Sequence, residues 1–473
     1  MRPFVPLLII TIVHNPGVEG RDCSDPQKGD CPMTSVGTAV AIDRNSLEER
    51  TLRKIKWRLL PFILFLFIVC YVDRANIGYV ALDMNKALHL TGTAFGLLSG
   101  IFFLGYSPFE IPSNILMHRF GARRWLSRIM ITWGAVVVLT AFVKSAPQLF
   151  ALRFVLGMAE AGFYPGILLY FTFWFPQRLR SQAIAVLQMG IPISGFIGAP
   201  IAVLIMDHIH WAGMAGWRWV FVVEGIPAML LGVVVYYFLT DRPQDAQWLS
   251  PEERDWLATN QRKEHQAKVQ VKKYSKLEAV LSPRVWRLTL IYFTLQSVQI
   301  SIPLWLPTIL KGLSRTSSNT RIGLLTMIPY ICATVAMLLW SRHSDKTGER
   351  KFHAAMGPLV AIVGLILFGV LGSLSLKIAG MTIALVGIYC FYGPFWTLPS
   401  QFLSEESAAV GLATINSIAM IGGFIGPAML GYLIRWRGGN LDGALCFLCV
   451  VLAVNVALVA TMQIAVDKKQ SEA

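Results

Sequence analysis

Long apolar runs govern everything else in this 473-residue chain. A bilayer core of about 30 Å, crossed at about 1.5 Å per residue, needs roughly 20 mostly apolar residues per helix. Runs of that size with few charges recur near 58–80, 94–117, 125–143, 148–173, 181–207 and 218–239. A second set follows near 288–310, 321–340, 354–376, 379–403, 408–434 and 443–466. In lipid every backbone N–H and C=O must find its partner within the chain, which restricts such runs to helices. The expected fold is therefore an all-α polytopic membrane protein with twelve transmembrane helices. Charged residues are 15% and hydrophobic ones 55% of the chain, whereas soluble globular chains carry about 25% charged residues. The net charge of +15 does not mark a nucleic-acid binder, because the Lys and Arg lie in the loops between runs.

Cys70, Cys332, Cys390, Cys446 and Cys449 lie inside apolar runs and read as small hydrophobes. The Cys446/Cys449 spacing lacks further ligands nearby, so it predicts packing and no metal. Five sections are expected. Residues 1–52 form a cytoplasmic tail, 53–240 a six-helix bundle, 241–284 a cytoplasmic linker, 285–466 a second six-helix bundle and 467–473 a C-terminal tail. In the linker, Ser250-Pro251-Glu252-Glu253 reads as a capping box with Pro at the first helical position, which puts Trp256 and Leu257 on a short amphipathic helix at the membrane surface. Within the tail, a ten-residue apolar run from Phe4 to Val13 behind Arg2 resembles a signal core but is too short to span. A cleaved signal conflicts with a cytoplasmic tail, so Met33 reads as the natural start and residues 1–32 as a start-site extension.

Orientation follows from loop Lys and Arg, which are retained on the cytoplasmic side. Arg50, Arg53, Lys54, Lys56 and Arg58 precede the first run, and Arg119, Arg123, Arg124 and Arg128 follow the second. The opposite loops offer only Lys86 and Lys144 before Arg218. Both termini are thus expected in the cytoplasm, in a bacterial-type inner (plasma) membrane. Lys311, Arg315 and Arg321 run against this pattern in the second set, while Arg342, Lys346, Arg350 and Lys351 agree with it.

The two sets also repeat one another. Trp57-Arg58-Leu59 recurs as Trp286-Arg287-Leu288, and Gly195-Phe196-Ile197-Gly198 as Gly423-Phe424-Ile425-Gly426. The basic turn His118 to Arg124 matches Asp345 to Lys351 at nearly the same offset. A near-constant offset predicts two pseudo-repeats around a central cavity. The turn at Asp345 to Lys351 follows the pattern acidic-basic-x-Gly-x-basic-basic and resembles the loop of the major facilitator superfamily; the first copy departs from it with His118 at the acidic place. Such a turn pins helix ends, which casts Arg119, Gly121, Arg123, Asp345, Gly348 and Arg350 as gating residues.

A charge near the bilayer centre costs at least about 2.5–3.5 kcal/mol on insertion scales. The first set nevertheless keeps Asp73, Arg74, Glu110, Arg153, Glu160 and Glu224, and the second set keeps no Asp, Glu, Lys or Arg. Adjacent helical positions diverge by about 100°, so Asp73 and Arg74 face different ways. Arg153 and Glu160 are two turns apart and share a face. Asp73, Glu160 and Arg74 read as a proton-and-anion site, and a salt-bridge lattice joining spans one and four is the alternative. Glu110 and Glu224 read as structural.

Tyr71, Asp73 and Arg74 in span one, with Arg153, Gly157, Glu160 and Ala161 in span four, resemble the anion:cation symporter family of that superfamily, across about Arg53 to Val466. Phe395 to Pro399 and Ala413 to Ser417 are most similar to its tartrate, phthalate and hydroxyphenylacetate branch. The resemblance implies proton-coupled import of an organic anion, with Asp73 and Glu160 as the protonation pair and Arg74 as the carboxylate receptor. Tyr71, Arg153, Tyr164, Gln188, Tyr392, Trp396 and Asn416 are the further substrate-binding candidates, with Gln296 and Gln299 beside them. No cofactor is expected; the proton gradient supplies the energy. The expected partners are a small organic acid, protons and the bilayer, with no nucleic acid, and the protein is expected to be a monomer. An exporter of drugs or metabolites and a non-transporting sensor are the competing readings. No nucleophile with a base and no cofactor loop points to an enzyme.

Overall fold

The computed structural model describes residues 34–269, 282–313, 319–399 and 405–462. The tail segments 1–33 and 467–473, and linker residues 270–281, lie outside the described residues. Contacts divide the chain into two compact units, Met1–Glu49 and Arg50–Ala473. The described part of the first is the leading stretch of a helix that begins at Thr34; everything below concerns the second.

The N-terminal helices are α1 (Thr34–Tyr79), the short α2 (Ala81–Ala87), α3 (Gly92–Phe120), α4 (Ala122–Thr140), α5 (Ala146–Glu160), α6 (Phe163–Trp174), α7 (Gln177–Gln188), α8 (Gly190–His208) and α9 (Gly216–Phe238). A linker helix, α10 (Pro251–Val269), follows. The C-terminal helices are α11 (Pro283–Leu313), α12 (Asn319–Thr347), α13 (Arg350–Val370), α14 (Leu374–Cys390), α15 (Tyr392–Thr397), α16 (Glu405–Trp436) and α17 (Asp442–Ala460). Starts are capped where the sequence supplies an oxygen: Thr91 Oγ1 accepts from Ala94 N at 3.2 Å and Ser373 Oγ from Leu376 N at 3.3 Å.

Among the described residues, eleven helical stretches are long and apolar enough to cross a membrane. The expected third span forms as α4, but Arg123, Arg124 and Arg128 occupy its first two turns and leave too short an apolar window for it to join that set. Three spans are interrupted. Ala146–Trp174 changes direction at Gly162, whose φ of +90° lies in the left-handed region that glycine adopts without strain. The α7–α8 and α14–α15 pairs meet at Met189 and Phe391.

Small residues bring the helix backbones together, as lipid-embedded packing requires. α9 packs on α4, where a Cβ on Gly134 would stand 2.7 Å from the Gly225 carbonyl oxygen. α3 packs on α5, and α13 on α14 and α17. N-terminal and C-terminal helices meet chiefly where α3 lies along α16 and α8 along α12. On the α3–α16 contact, a Cβ on Gly96 would come within 2.5 Å of the Pro427 carbonyl oxygen.

The linker forms the expected capping box. Glu253 N donates to Ser250 Oγ at 3.2 Å, and Ser250 N donates to Glu253 Oε2 at 2.9 Å. Glu253 also pairs with Lys54 (2.7 Å) and Arg50 (3.3 Å), and Arg180 pairs with Glu264 at 2.9 Å. Trp248 stacks on Trp174, and the Arg58 guanidinium lies over Trp248 and Phe238. These bonds fasten the linker to the middle of α1 and to the ends of α6 and α7. Burial pushes the Glu253 carboxyl up, and bonds from Lys54 and Ser250 N with the Arg50 charge more than offset it, holding it below the ordinary glutamate value.

Candidate functional site

Asp73 and Arg74 do point different ways. Arg74 Nε pairs with Glu160 at the C-terminal end of α5. The Cys70 thiol, one turn before Arg74, donates to the same Glu160 oxygen at 2.9 Å. Asp73 turns instead toward α4, where its Oδ2 accepts from Trp133 Nε1 at 2.8 Å, and its Oδ1 has no partner. Glu160 is the last residue of α5, immediately before the Gly162 turn. A side chain at 162 would collide with the Ser113 hydroxyl, so the glycine permits both the turn and the approach of α3.

Arg153 lies deeper on α5. It is buried, and its Nε and Nη1 find no hydrogen-bond partner. Its guanidinium lies 5.5 Å from the Phe102 ring centroid, and that of Arg74 lies 5.3 Å from the same ring. Arg74 also faces the Tyr71 and Tyr106 rings, both at 4.9 Å. Aromatic faces stabilise desolvated cations without neutralising them.

A cavity of about 60 Å³ lies beside these groups. Tyr71, Arg74, Ser99, Phe102 and Arg153 line it from the N-terminal helices, and Gln296, Gln299, Tyr330 and Tyr389 from the C-terminal ones. Both guanidinium groups therefore face one space bounded by contributions from either side of the molecule.

The candidates Tyr164, Gln188, Tyr392, Trp396 and Asn416 lie off the cavity wall. Gln188 Nε2 donates to Tyr164 OH at 3.0 Å, and Tyr392 OH donates to Gln296 Oε1 at 2.8 Å. Trp396 packs edge-on against Tyr292, with ring centroids 5.1 Å apart, beside Phe395. Asn416 Nδ2 donates to Glu110 Oε1, Ser417 Oγ donates to Glu110 Oε2 at 2.8 Å, and Ser107 Oγ donates to the Ser417 carbonyl at 2.7 Å. Glu110 and Asn416 thus tie α3 to α16.

Of the gating candidates, Asp345 pairs with Arg350 at 2.5 Å across Gly348, whose φ is +72°. In the first turn the missing acid comes from elsewhere. Asp241, just past α9, accepts from Arg123 N at 2.7 Å, and its carboxylate sits where a Cβ on Gly121 (φ +86°) would stand. The Arg123 guanidinium covers Tyr236, and that of Arg119 lies over Phe120. His118 instead meets the Phe173 ring edge-on. Sequence reasoning missed Asp241, Trp133 and Cys70. The signal for Asp241 was the acid absent from the first turn; Trp133 offered none, because an apolar run hides a single hydrogen-bond donor.

Comparison with known proteins bears on this geometry. A family model described as Major Facilitator Superfamily matches residues 63–427. A protein of Agrobacterium vitis named "Putative tartrate transporter" is 44% identical over 87% of this chain and 94% of its own length. A quinolone resistance transporter of Acinetobacter baumannii is 34% identical over 90% and 98%. Among solved structures, a D-xylose-proton symporter superposes with a TM-score of 0.67 at 16% identity, covering 85% of this chain and 97% of the other.

Proposed function

Since this chain belongs to the Major Facilitator Superfamily, a superfamily of membrane transporters and not of enzymes, we propose that it is a secondary active carrier of an organic dicarboxylate, imported with protons. In this reading twelve spans, α4 included, form two six-helix pseudo-repeats, both termini lie in the cytoplasm of a bacterial inner membrane, and the cavity between the repeats is the transport site. One observation supports the dicarboxylate above the rest: Arg153 presents a buried guanidinium with two unpartnered N–H groups beside a cavity that Arg74 also lines. A buried cation without an anion is costly, and planar bidentate donors fit carboxylates. The name of the Agrobacterium vitis relatives agrees with a hydroxy-diacid.

The cycle follows from the bond between Arg74 and Glu160. A proton on Glu160 removes the charge that holds Arg74, and the guanidinium is then available to one carboxylate of the substrate while Arg153 takes the other. The anion and Glu160 compete for one cation, so loading and protonation favour each other. Asp73, on the opposite face of α1, is the second proton carrier. The loaded, protonated carrier and the empty carrier, in which Glu160 again pairs with Arg74, are free to rock. A carrier with an unneutralised site is not.

The test uses purified protein in proteoliposomes. Asp73→Asn and Glu160→Gln are expected to lose accumulation of tartrate against its gradient while retaining tartrate exchange, and Arg153→Gln to lose both. Unchanged accumulation in the two acid variants would refute the coupling roles. The Acinetobacter baumannii relative favours a second reading, proton-driven export; cells lacking the protein would then retain the compound in place of failing to take it up.

A further inference from the structure

One buried carboxylate has no part in that cycle. Glu224, on α9, is buried, and neither of its oxygens reaches a hydrogen-bond donor. It sits beside Gly225, which packs on Gly134 of α4, the neighbour of the Trp133 that holds Asp73. Asn76, one turn beyond Asp73 on α1, faces it, and the Asp73 charge acts on it. Asp73 Oδ1, Asn76 Oδ1 and both Glu224 oxygens are buried without a close hydrogen-bond partner.

The surroundings supply nothing to balance it. α9 packs on α4 and α8. At this level α4 presents the Trp133 indole and Gly134. α8 carries its ionisable residues, Asp207 and His208, at its far end near Gly216, about 12 Å along α9 from Glu224. From α1 the facing groups are Asp73, Asn76 and Tyr79, and beyond Asp73 lie Arg153 and Glu160. Among the described residues no Lys, Arg or His forms an ion pair with Glu224. A buried carboxylate with no paired cation is relieved by a proton: a protonated Glu224 becomes a donor to its neighbours and removes the cost of a bare buried charge.

We propose that Glu224 is a further proton-binding residue of the carrier, holding one proton jointly with Asp73 around Asn76. The proposal rests on the symport reading and deepens it: protons are handled at two places on α1, at Glu160 through Arg74 and at Glu224 through Asp73. Two acids that share one proton titrate as a pair, and the proton's uptake and release belong to both. Tyr79, which feels the Glu224 charge, lines the cavity.

Two measurements on the full-length protein test this. Infrared difference spectra between acid and alkaline pH need no substrate; the wild type should show a protonated-carboxyl band that Glu224→Gln lacks. In proteoliposomes with tartrate as probe, the same variant should move one proton fewer per tartrate. Identical carboxyl bands in wild type and variant would overturn the proposal. Should Glu224→Gln not fold, Glu224→Asp carries the infrared test, with a shifted band expected and an unshifted one decisive against. Wild-type tartrate uptake without proton flux would sink the symport reading by itself, and the infrared result would still decide Glu224.

Discussion

The bond between Glu110 and Asn416 lends itself to a quantitative test. These two side chains, with Ser417, join α3 to α16 across the boundary between N-terminal and C-terminal helices. Asn416→Leu removes one of the two donors to a buried carboxylate and leaves Ser417 as the other. A hydrogen bond to a charged group contributes about 1.5–3 kcal/mol, so the equilibrium between joined and parted α3–α16 ends should shift roughly 10- to 150-fold toward the parted state. Spin labels on the two helix ends, measured without substrate, read that shift directly. A residue that acted only on substrate would leave the substrate-free distances unmoved. Glu110→Leu should produce a shift at least as large, and the double variant should fall well short of the two combined, since both remove the same bond. Effects that add within about 0.5 kcal/mol would refute the pairing as an energetic unit.

Three further outcomes are expected. Gly162→Ala forces a φ of +90° on a residue with a Cβ and drives that Cβ into Ser113; a cost of about 1–3 kcal/mol should lower the melting temperature in detergent, with partial recovery in the Ser113→Gly background. Glu253 is held below the ordinary glutamate value, so its contribution is present at neutral pH and is lost as pH falls below the ordinary value of 4.5; proteolysis of the linker helix should accelerate there, and Glu253→Gln should remove the pH dependence. Asp241→Ala takes away the carboxylate that receives Arg123 N and should slow transport several-fold, whereas His118→Ala should leave the rate within about two-fold, measured as initial tartrate uptake.

Length and hydropathy made most of the helices legible, because 20 apolar residues leave the backbone little choice. α4 shows the limit: its arginines serve the turn before it and dilute its apolar window. The opposed directions of Asp73 and Arg74 followed from helical geometry alone. Their partners did not, since Trp133 and Glu160 are 60 and 86 residues away. Asn416 read as a substrate ligand because a polar amide in an apolar run needs a partner, and no local pattern names a carboxylate 306 residues earlier. The turn at Gly162 was equally hidden, as the apolar run passes through it without a break in composition.

Phe102 has a consequence for selectivity. One rigid ring is approached by both guanidinium groups. Any solute that grips both cations is therefore gauged against a benzene ring, and a change of residue at 102 should re-rank diacids by chain length before it alters how strongly the favoured one is held.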